Sequence, residues 1–127
     1  MGAPISGFIL CSYCGDMATD SDHVIPRCRH DIYGGPGDPN ETVPACGDCN
    51  RGILGGKPIF GFEARKAAVN ERLRRRLSHL PPSGLSEQEI ENLGPRLRAR
   101  IKRKEALRKF LISRIEFNEN RPFNECH

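Results

Sequence analysis

The sequence predicts an α+β protein: a small zinc-stapled core over residues 1–58, then a mainly α-helical, basic region over residues 59–127. Three observations predict it. Two Cys-x-x-Cys pairs, Cys11 with Cys14 and Cys46 with Cys49, bracket two short β-prone stretches. Beyond residue 60 the apolar residues recur at helical spacing with arginines between them. The charge divides as well: residues 1–50 carry two basic and seven acidic side chains, net −5, whereas residues 51–127 carry eighteen and nine, net +9.

A chain of 127 residues supports one domain with a modest core and room for a helical appendage. Tryptophan is absent and aromatics are few, so a metal staple would add what apolar burial lacks. Mean hydropathy is −0.54, and no apolar run approaches the length of a membrane span. The run Phe8-Ile9-Leu10 is too short for a signal peptide and follows no basic residue. Met1-Gly2-Ala3-Pro4-Ile5-Ser6 fits only a loose myristoylation pattern, to which we give no weight. A cytoplasmic chain without a membrane partner is therefore expected, its six cysteines reduced or metal-bound. The acidic front half suits a cation and the basic back half a polyanion.

Taken in order, Phe8 and Leu10 are expected core contacts. Cys11-Ser12-Tyr13-Cys14-Gly15 reads as a tight metal-binding turn closed by a glycine that tolerates positive φ. A strand is expected over residues 20–25, stopped by Pro26. Residues 27–40 form a polar loop with Gly34-Gly35-Pro36-Gly37 as turn signals, and Thr42-Val43 pairs back onto the first strand. A short helix follows from Gly47 and breaks at Gly55-Gly56. From Glu63 to His79 a helix carries Val69, Leu73, Leu77 and Leu80 on one stripe, and Pro81-Pro82 ends it. Ser86 and Glu89 make a capping box for a further helix. Pro95 can open a renewed one, whose stripe Leu97, Ile101, Leu107, Leu111 and Ile115 runs to about Phe117. Residues 118–127 read as a tail.

Two short turns offering four thiolates match zinc's tetrahedral preference, and a closed four-thiolate site has no open position for chemistry. Zinc bound to Cys11, Cys14, Cys46 and Cys49 is thus expected to be structural, with Cys28 and Cys126 left as free thiols. Other residues have plain roles open to them. Asp22 could pair with an arginine such as Arg27, His23 could bond backbone, Asn40 could be a turn residue, and Asn50 could cap a helix. Arg72, Arg75, Arg76, Arg100 and Arg103 belong to two basic clusters that could lie on a phosphate backbone or face solvent. His30 lies in the polar loop.

In this order and spacing, Cys-x-x-Cys-Gly, Asp22-His23-x-Ile25-Pro26, a glycine-rich loop, Asn40-x-x-Val43-Pro44-Ala45-Cys46 and Cys49-Asn50 resemble the HNH endonuclease family, in its four-cysteine zinc branch. The resemblance covers residues 8–57. It implies a ββα-metal core in a bacterial or phage-infected cell, hydrolysing phosphodiester bonds of double-stranded DNA by nicking or double-strand cleavage. It implies His23 as general base, Asp22 and Asn50 as ligands of a catalytic Mg²⁺ or Mn²⁺, and Asn40 as the residue that orients His23. Dimerisation through the helical stripes would let one site serve each strand. The alternatives are a non-catalytic, zinc-dependent nucleic-acid-binding module on the same scaffold, or an RNA-directed nuclease.

Overall fold

The computed structural model describes residues 9–24 and 41–120. The loop expected over 27–40, including Cys28, His30 and Asn40, lies outside them, as do Phe8, Arg27 and Cys126.

Strand β1 (Asp20–His23) pairs antiparallel with β2 (Thr42–Ala45), Asp20 opposite Ala45 and His23 opposite Thr42. The alternation is that of a half-buried ribbon: Asp22 and Val43 are buried, while Ser21 and Pro44 face outward. Ahead of β1, Leu10 bridges Met17 and the Ser12 amide donates to the Pro44 carbonyl at 2.9 Å, tying the first cysteine turn to β2. Gly15 closes that turn at φ 81°, as its position after Cys14 predicts. A β-carbon there would stand 2.6 Å from the Phe117 ring, so the glycine also admits the close approach of the last helix.

After β2 the chain winds into a wide, π-helical turn (Asp48–Ile53), short of the Gly55-Gly56 break. Helix α1 (Phe62–Ser78) starts where the Gly61 amide donates to the Val24 carbonyl at 2.7 Å, which hangs its first turn on the end of β1. Its buried face is Phe62, Arg65, Val69 and Leu73, while Leu77 and Leu80 are only half-buried. Burying side chains such as Val69 and Leu73 contributes about 1.5–3 kcal/mol each. Helix α2 (Glu87–Glu91) begins on the expected capping box: Ser86 accepts from the Glu89 amide, and Glu89 accepts from the Ser86 amide. Helix α3 (Pro95–Asn120) opens on Pro95, again as expected.

Three expectations need correction. Leu10 is 53% exposed, because it sits on the outer side of its bridge to Met17. Helix α3 continues to Asn120, and Asn118 is buried with its side chain donating to the carbonyls of Tyr13 and Lys66. The tail reading fails at that point because an asparagine can be a core residue when backbone acceptors meet it. The stripe on α3 is interrupted too: Leu111 and Ile115 are buried, but Leu97 and Leu107 are 46% and 49% exposed. The reason is length. At about 1.5 Å per residue, α1 is about 25 Å long and α3 about 39 Å, so α1 covers only the C-terminal part of α3.

The core is continuous across residue 58. Phe62, Val69, Leu73, Leu111 and Ile115 pack in one cluster with the four cysteines, Tyr13, Val43, Ala45, Ile53 and Leu54. Among the described residues no helix is long and apolar enough to cross a membrane.

Candidate metal centre and its surroundings

The two Cys-x-x-Cys turns are built alike. In the first, the Gly15 amide closes onto the Cys11 carbonyl at 3.0 Å; in the second, the Asn50 amide closes onto the Cys46 carbonyl at 2.9 Å. Each turn also aims an amide at a sulfur, Tyr13 at Cys11 and Cys49 at Cys46, both at 3.4 Å. The four sulfurs are buried and lie within 4.8 Å of one another, with Cys14 and Cys46 at 3.7 Å. A tetrahedral ion with metal–sulfur bonds of about 2.3 Å sets its sulfurs about 3.8 Å apart, so the donor set and its spacing fit zinc. A disulfide, at about 2.05 Å, is not present between these four.

Thiols this close compete for protons. The hydrogen bond with Cys14, first among the causes, lowers Cys11 to about 7, whereas contact with the Cys11 sulfur pushes Cys14 and Cys49 far above the ordinary thiol range. A divalent cation resolves that conflict by taking all four as thiolates, at the cost of leaving a doubly negative cluster in the core. Arg114 meets that charge. It is buried, it projects from α3, and its guanidinium donates toward Cys49 Sγ at 3.6 Å, near Cys46 Sγ at 4.0 Å, and to Asp48 at 2.9 Å. Burial works against its charge, but the nearby Cys14 sulfur and then Asp48 hold it protonated more firmly than a free arginine. The Phe110 ring lies 5.5 Å from it on another side.

The other expected site residues are distributed as follows. Asp22 is buried, and both its oxygens are taken by Arg65, at 2.7 and 2.8 Å; the Tyr13 hydroxyl also donates to it at 2.6 Å. Arg65 completes its set on the Ile59 carbonyl at 2.7 Å, and Tyr13 stacks on Phe62 with ring centres 5.3 Å apart. Burial first, then the Asp22 charge, pushes the Tyr13 phenol well above its ordinary range, so it remains a donor. Asn50, on the helical turn, donates to Asp20 at 3.0 Å, where Arg51 also binds. His23 is half-buried at the far end of β1. With about 3.4 Å of rise per residue, about 10 Å of strand separates His23 from Asp20 and the Asn50 amide upon it. Asp22 and Asn50 thus hold different partners, Arg65 and Asp20, and a cation at Asp22 would have to share its carboxylate with Arg65. Asn40 lies outside the described residues.

Among the expected phosphate-binding arginines, Arg76 is held on Asp48 by two bonds of 2.7 and 3.1 Å, and Arg75 lies 4.0 Å from Glu71. Arg72, Arg100 and Arg103 have no ion-pair partner among the described residues, and the last two are exposed. Sequence reasoning missed Arg65, Arg114 and Asp48. A signal was present: each arginine occupies a core position of its helix, Arg65 between Phe62 and Val69, and Arg114 between Leu111 and Ile115. A cation at such a position needs a buried anion.

No family model, curated protein or solved structure matches this chain.

Proposed function

We propose that this chain is a zinc-stapled, divalent-cation-dependent DNA endonuclease of the HNH kind, with His23 as the general base. The observation that supports the reading is the succession strand, strand, helical turn around one four-cysteine cluster, with His23 ending β1 and Asn50 on the turn. An imidazole titrates near neutral pH and can take a proton from water as it attacks a phosphodiester. The expected Mg²⁺ or Mn²⁺ would relieve charge on the phosphoryl oxygens. The side-chain oxygens of Asn50 and Asp22 suit such an ion chemically, and Asp22 would share its carboxylate between the ion and Arg65.

The same pairing favours a second reading, a zinc-dependent nucleic-acid-binding module without catalysis. Supercoiled plasmid incubated with protein and Mg²⁺ or Mn²⁺ separates the two. Wild type is expected to yield nicked or linear product, and His23→Ala to slow it at least about 100-fold, the range of a lost general base. Binding without cleavage in both cations would establish the module instead, and a structured RNA substrate beside the plasmid tests the RNA-directed alternative.

Zinc in the cluster carries its own expectation. Arg114→Met should keep the chain folded but leave the thiolate charge uncompensated, so that zinc passes to a chromophoric chelator about 10–100-fold faster, as for other outer partners of metal ligands. Arg114→Lys should recover part of that loss. Release rates equal to wild type in both variants would show that Arg114 only packs there.

A further inference from the structure

We propose that one stripe of α3, formed by Arg96, Arg100, Arg103, Leu107 and Phe110, is the surface that docks on duplex DNA. The proposal rests on the nucleic-acid part of the function above, not on its chemistry. These residues follow one another by four, three, four and three positions, so they lie on a single face of the helix. The next member at that spacing is Arg114, buried against the cysteines. The stripe is thus the outward continuation of the helix face that packs on the metal centre.

All five residues are exposed. The opposite side of this part of α3 is already in use: Lys102 binds Glu91, Glu105 accepts from the Ser83 amide, and Arg98 donates to the Glu91 carbonyl. Helix α1 ends too early to cover the stripe. Its three arginines have no ion pair among the described residues, and no acidic side chain shares the face.

Charge selects the occupant. A second copy meeting this stripe about a twofold axis would set arginines against arginines beside its two apolar groups. A polyanion meets no such penalty. From Arg96 to Arg103 the helix rises about 10 Å, over which one strand of duplex presents about three phosphates at about 3.4 Å axial spacing. Leu107 and Phe110, nearer the metal centre, then offer apolar contact to sugars or base edges. The major groove is wide enough for such a helix.

The test is fluorescence anisotropy of a labelled duplex with zinc-loaded full-length protein, without Mg²⁺, across a range of salt. The triple variant Arg96→Gln, Arg100→Gln, Arg103→Gln is compared with a charge-matched control, Lys57→Gln, Arg74→Gln, Lys109→Gln. The stripe variant should bind at least about 10-fold more weakly, with the salt slope reduced by about 2.7 for three lost phosphate contacts; the control should change the slope by less than about 1. Equal losses in the two variants would overturn the proposal. So would a concentration-dependent dimer abolished by Leu107→Gln with Phe110→Gln, which would assign the stripe to a second copy. Plasmid nicking is scored in parallel. Wild-type nicking that the stripe variant retains in full removes this surface and leaves the endonuclease reading; stripe-dependent binding without nicking keeps the surface and removes the enzyme.

Discussion

Stripping the metal, or replacing Cys46 with serine, is expected to unfold the β1–β2 core and release α1 and α3 from it. The cysteines are not an accessory to the core. Among the described residues, Cys11, Cys14, Cys46 and Cys49 are four of its fifteen buried apolar members, and the rest of that core within residues 9–24 and 41–54 is Tyr13, Val24, Val43, Ala45, Ile53 and Leu54. The two-stranded ribbon is four residues long on each side, below what stands alone in water. A structural zinc contributes about 10–16 kcal/mol in small domains, against about 5–15 kcal/mol of total stability for a protein of ordinary size. Losing it should therefore exceed what the remaining contacts can hold. Chelator titration should show one zinc released per chain, with loss of the near-ultraviolet signal of Tyr13 and a fall in helical circular dichroism over the same range. An unchanged thermal midpoint after complete metal removal would sink this expectation and the zinc assignment with it.

The parts of this fold that were legible in the sequence are those whose cause is local. The capping box at Ser86, the helix start at Pro95, the stop before Pro81-Pro82 and the positive φ of Gly15 each follow from one or two residues. The cysteine cluster was legible for a related reason, since two short turns supply all its donors. What was not legible depends on distant partners. Asp22 could be seen to want a cation, but Arg65 stands 43 residues later, on a helix whose docking only the fold decides. The exposure of Leu97 and Leu107 likewise depends on how far α1 reaches along α3, which periodicity does not encode. Arg114 shows the same limit from the other direction: its place among core positions marks it as unusual, but not which anion it serves.

The Asp22–Arg65 pair yields the other large effect, and it separates two roles for Asp22. Both side chains are nearly fully buried, at 3% and 5% exposure, so neither can exchange its partner for water. Asp22→Asn leaves the guanidinium without its charge partner, and removing one member of a buried pair costs about 3–5 kcal/mol. At about 4–8 °C per kcal/mol for a domain of 60–100 residues, the thermal midpoint should fall by at least about 10 °C. The double variant Asp22→Leu with Arg65→Met removes both charges and fills similar volume. It should recover most of that loss, because apolar replacement of a whole buried pair is often neutral or stabilising. Tyr13 sets the limit on recovery: its hydroxyl loses its acceptor, an unsatisfied buried group worth about 1–3 kcal/mol, and adding Tyr13→Phe should regain that part. Stability alone cannot say whether Asp22 also meets a cation, but the folded double variant can. If Asp22 serves only to hold Arg65, plasmid nicking persists at the wild-type rate once folding is restored. A stable double variant that no longer nicks would mean that Asp22 also meets a metal ion during turnover.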